Sequence, residues 1–112
     1  AAAFAGVAGD AATGDPNQAL LDEFAPMIEE AEDQAALLEI AKNLEEAAAS
    51  TYFFALGVLQ DTENALAVAS ILPIESQHAV VLGQALDQET EEFVPSFETQ
   101  ESALTPSEYP LG

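Results

Sequence analysis

The sequence predicts an all-α protein built around an antiparallel helical hairpin, the equivalent of half a four-helix bundle. Two long segments repeat apolar residues at three- and four-residue steps, and a polar linker too short for anything but a reversal joins them. A hydrophobic content of 49% is enough for a core once helices pair. The chain divides into an Ala/Gly-rich irregular lead-in at 1–16, a helical region at 17–87 and an acidic, proline-containing tail at 88–112.

The helical region opens at Asp15-Pro16, where Asp15 can cap a short helix with Pro16 at its first position. Leu20, Leu21, Phe24 and Ile28 follow at helical spacing, and Pro26 is expected to interrupt or kink the segment. From Asp33, a second cap, to about Gln60, a stripe of Leu37, Ala41, Leu44, Ala48, Tyr52, Ala55 and Leu59 marks a long packing helix. Asp61-Thr62-Glu63-Asn64 forms the turn, with Thr62 as the expected cap of the next helix. Leu66, Ala69, Pro73, Ile74, Val81 and Ala85 carry the apolar period on to about Leu86. Beyond Gln88, prolines at 95, 106 and 110 point to extended chain, with local order near 93–97.

Charge narrows the function. There are 21 acidic residues against one lysine, no arginine and one histidine, a formal net charge of -20. A surface of that sign excludes nucleic acid and anionic lipid as partners. The acids run from Asp10 to Glu108 with no dominating block, and at molar salt, where the Debye length is about 3 Å, their repulsion is screened; a halophilic source is expected. Without cysteine, disulfides, thiolate ligands and cysteine nucleophiles are excluded. No glycine-rich phosphate loop or nucleophile elbow is present. No unbroken apolar run reaches the roughly 18 residues of a membrane span. The opening Ala-Ala-Ala-Phe-Ala-Gly-Val-Ala is similar to the end of a secretory or twin-arginine signal and suggests export, the alternative being a cytoplasmic chain.

Three residues stand out against the apolar pattern. Glu45 lies on the stripe of the first long helix, seven residues before Tyr52 and so on nearly the same face. Glu75 and His78, three apart, share a face of the second. Carboxylates at an apolar interface need compensation, and Lys42 is the only basic side chain available besides the histidine, so a metal ion, a shared proton or water must supply it. A lone Glu on one helix and Glu-x-x-His on its antiparallel neighbour suit a carboxylate-bridged pair of iron or manganese ions. The chain supplies one such set. Acidic runs such as 29–33 read as solvated faces.

Leu44-Glu45 with Tyr52, Ala69-Ser-Ile-Leu72, Glu75-Ser-Gln-His78 and Phe97-Glu98 together resemble the second half of the ferritin-like domain proteins, desiccation-related members included, over about 37–97. The arrangement is also similar to the two-helix encapsulated ferritins. The resemblance implies a ferritin-like bundle completed by dimerisation or by a further N-terminal helix pair. It implies a di-iron or manganese site on Glu45, Glu75 and His78, with Tyr52 beside it as a redox or supporting neighbour, and Fe(II) oxidation as a candidate activity. The alternative is a metal-free structural or accessory subunit docked on a larger assembly.

Overall fold

The computed structural model describes residues 15–94 and 98–110, and among them every regular element is helical. The elements are α1 (Gln18–Glu30), α2 (Gln34–Val58), α3 (Thr62–Ala85) and a single turn, α4 (Thr90–Phe93). Helices α2 and α3 pair along their length as the expected hairpin. The apolar opening at 1–8 and most of the lead-in lie outside the described residues.

Each long helix begins where an aspartate can accept its free amide hydrogens. Asp33 accepts from Ala36 N at 2.9 Å and Asp61 from Asn64 N at 2.8 Å. The second of these corrects the expectation for Thr62: Asp61, one residue earlier, is the cap and Thr62 opens the helix. A similar shift occurs at the start. α1 is capped by Asn17, whose side chain accepts from Leu20 N, so neither Asp15 nor Pro16 is its first turn. Pro26 and Pro73 both remain inside their helices instead of ending them. Each still leaves one carbonyl of the preceding turn without its usual donor.

The stripe expected to form the core does not form it. The buried residues of α2 are Lys42, Ala47, Ala49 and Ser50, none of them on the Leu37-to-Leu59 stripe. In α3 they are Val68, Ala79 and Gly83, whereas Leu66 and Val81 of the expected stripe are 66% and 62% exposed and Leu37 and Ile74 are exposed as well. The hairpin is therefore closed by small side chains. Its larger apolar ones line a face that nothing among the described residues covers. By length and composition α3, with a mean hydropathy of 1.5, is apolar enough to cross a membrane. It is not an unbroken apolar run, because Ser70 and the polar stretch Glu75-Ser76-Gln77-His78 interrupt it.

The tail also departs from expectation, because it folds back on the hairpin. α3 ends with Asp87 in the left-handed region at φ 55°, Asp87 N bonding Gln84 O and Gln88 N bonding Gly83 O. These two bonds form a Schellman motif in which aspartate replaces the usual glycine. The reversal leads into α4, whose Glu89 and Glu92 form a capping box, and brings Phe93 down onto Gly83, where it is buried. Further on, Leu104 N donates to Thr51 Oγ1 at 2.8 Å, and Tyr109 meets α1, its hydroxyl donating to Glu23 and its carbonyl accepting from Asn17.

Candidate metal centre

The hairpin brings Glu45, Glu75 and His78 together, each offering a ligand atom within 4.8 Å of the others. The antiparallel reversal at 59–61 makes this meeting possible. It sets the middle of α2 beside the second half of α3, and the three-residue spacing then stacks Glu75 and His78 on one side. His78 Nδ1 stands 3.3 Å from Glu45 Oε2 and 3.3 Å from Glu75 Oε2. The side chains grade outward: Glu75 is 18% exposed, Glu45 29% and His78 52%.

No lysine or arginine serves these carboxylates. Lys42, the one basic residue of that kind, is only 6% exposed and its ammonium is bound to Glu46 Oε1 at 2.6 Å, one helical turn along α2. Glu46 is accordingly a half-buried ion-pair partner. Burial pushes the Glu75 carboxyl above the ordinary range, and hydrogen bonding and like charge from Glu45 push it the same way; His78 offsets part of this. Tyr52, half-buried, has its phenol raised by burial first and then by the negative charge of Glu75 and Glu45, which places it in the electrostatic neighbourhood of the cluster.

Two carboxylates and an imidazole are hard-to-borderline donors of the kind that hold iron, manganese or zinc, and their clustering without a fixed cation fits them to hold a metal ion. A dinuclear bundle site draws a Glu from each of two helices and Glu-x-x-His from each of the other two, and this hairpin holds one Glu and one Glu-x-x-His.

The site lies on the uncovered face. Counting 100° per residue, Tyr52, Ala41, Ala48 and Leu37 lie 20–80° to one side of Glu45, and His78, Ile74 and Val81 lie 60–120° to the same side of Glu75. The acids of the two long helices are Glu39, Glu45, Glu46, Glu63 and Glu75; Glu39 and Glu46 fall on the opposite side of α2, and Glu63 is confined to the first turn of α3. The stripe flanking the site along the rest of both helices is acid-free. The tail occupies the other side, where Glu46, Ser50, Ser76, Val80, Phe93 and Glu98 surround a cavity of about 400 Å³. The sequence does not show Phe93 and Glu98 as contacts of α3, or Ser76 as the residue that bonds Glu98. The one signal was Gly83, a glycine inside an apolar helix, which marks a close approach.

Residues 1–88 match the family model described as a ferritin-like domain. No curated protein and no solved structure matches the chain. The match covers most of the sequence, including both ligand-bearing helices, and the chain belongs to the ferritin-like domain family.

Proposed function

We propose that the chain binds a pair of iron or manganese ions at a site of which Glu45, Glu75 and His78 are one half, the other half coming from a second helix pair on the open face. The observation that carries this reading is the convergence of two carboxylates and the only imidazole of the chain, with no lysine or arginine among them, beside an apolar stripe that is otherwise free of acids beyond the first turn of α3, in a protein of net charge -20. An isolated carboxylate pair at an apolar interface is costly unless a cation joins it. A two-fold dimer supplies an identical set and buries Leu37, Ile74 and Val81 at the same time. A further helix pair of the same polypeptide would do so equally. Iron bound there would supply one-electron redox chemistry toward oxygen, which makes Fe(II) oxidation the activity to assay. Tyr52 would stand beside the ligands, its phenol raised by burial first and then by their charge.

The test is metal content after purification without chelator. The native protein is expected to retain iron or manganese, and Glu75→Ala and His78→Ala to lose most of it. Equal metal in all three sinks the proposal. Native mass measured on the same samples separates a dimer from a monomer.

One observation favours a second reading, a metal-free scaffold. Glu45, Glu75 and His78 already lie within hydrogen-bonding or ion-pair distance of one another, His78 Nδ1 standing 3.3 Å from each carboxylate. On that reading no preparation retains metal, and the open face is covered by a partner assembly.

A further inference from the structure

We infer that Ser76 and Gly83, through the tail residues Glu98 and Phe93, are positioning residues that fix the rotation of α3 and so aim Glu75 and His78 at Glu45; this rests on the metal-centre reading above. The hairpin interface is poor in the large side chains that normally fix how one helix sits against another. Its buried residues are Val68, Ala79 and Gly83 on one side and Ala47, Ala49, Ser50 and the stem of Lys42 on the other. Small residues allow close approach but supply few knobs to resist a turn about the helix axis. Pro73 compounds this, since the missing hydrogen bond lies just before the segment that holds both ligands.

The tail grips that segment at two points. Ser76 Oγ donates to Glu98 Oε2 at 2.9 Å, with the Leu72 carbonyl a longer second acceptor at 3.3 Å. Two turns on, the Phe93 ring fills the space beside Gly83 so closely that a Cβ there would stand 2.5 Å from Phe93 Cγ and 2.6 Å from its Cβ. Ser76 and Gly83 are seven residues apart and therefore within about 20° of each other around the helix, while His78 is about 160° from Ser76 and 140° from Gly83. Both anchors hold the back of the helix whose front carries the ligands. Turning α3 enough to swing His78 away from Glu45 would break the serine–carboxylate bond and drive the helix backbone against Phe93.

The experiment follows Co(II) binding by absorbance, together with the imidazole resonance of His78, the only histidine, in the metal-free protein. Ser76→Ala and Phe93→Leu are expected to weaken Co(II) binding on the order of tenfold, as loss of an orienting partner typically does, and to shift the His78 resonance while helical circular dichroism stays native. Ser76→Thr, which keeps the hydroxyl, is expected to restore both. If native-like Ser76→Ala and Phe93→Leu leave Co(II) affinity and the His78 resonance unchanged, the positioning role is overturned. Should the unaltered protein bind no Co(II), the metal reading fails by itself, and the His78 resonance still decides whether the anchors set the geometry.

Discussion

The two tyrosines, one in α2 and one in the tail, show how single side chains register this acidic surface. Tyr109 donates its hydroxyl to Glu23 Oε2 at 2.5 Å, and that bond, with lesser help from burial and the charge of Glu23 and Glu108, raises the phenol above its ordinary value of 10.0. Tyr52 is raised as well, by burial and by Glu75 and Glu45. The sign follows from linkage: a phenol whose folded pKa exceeds its unfolded one stabilises the fold below pH 10, and that contribution is lost as the pH climbs through the folded value. With two tyrosines and no tryptophan, ultraviolet titration reads both. Both are expected to ionise above the ordinary value, and Glu23→Gln is expected to bring one of them down while leaving the other; a titration curve unmoved by Glu23→Gln would show that the bond between tail and α1 is absent in solution. Neither partner was legible from the sequence, because Glu23 and Tyr109 are 86 residues apart and no local pattern links them.

The long helices owe their boundaries to aspartate side chains. Asp33 was legible as a cap because it directly precedes the periodic segment. Asp61 was not distinguished from Thr62, since both residue types cap well and only the backbone, extended at Asp61 and helical after it, decides between them. Removing either cap strands amide hydrogens of the first turn. Asp33→Ala and Asp61→Ala are each expected to cost about 1 kcal/mol in urea unfolding, and Thr62→Ala much less. If Thr62→Ala proved as damaging as Asp61→Ala, the assigned cap would be wrong. Periodicity located α2 and α3 themselves well, but not the face they bury. A stripe of apolar residues shows that a helix has something to cover it, not whether the cover is its neighbour in the hairpin or a different helix pair.

Across the whole molecule, 21 acidic residues face one lysine, which is buried and already held by Glu46, so the net charge is -20 and the outer surface carries no lysine or arginine free of an acidic partner. Such a fold is strained by its own repulsion when ions are scarce. Raising sodium chloride from about 0.01 M to 1 M contracts the Debye length from roughly 30 to 3 Å, and the urea midpoint is expected to rise across that range with little change in slope. A midpoint indifferent to salt would remove the case for a high-salt environment. On the proposal that a second copy or helix pair docks on the open face, the same screening would ease its approach, and association and stability are expected to respond to salt in the same direction.

The sequence by itself determined the helical class, the hairpin and the identity of the three ligand-type residues. All of these depend on spacing along one chain: 3.6 residues per turn, a short linker and a three-residue offset are local quantities. What only the tertiary structure decided is which side of the hairpin is open. The return of the tail onto Gly83, Ser76 and Thr51 closes the back of α2 and α3, and among the described residues leaves the stripe beside Glu45, Glu75 and His78 uncovered. These contacts join residues far apart in sequence, through a left-handed turn at Asp87 and the approach of Phe93 to a glycine, and periodicity holds no information about either.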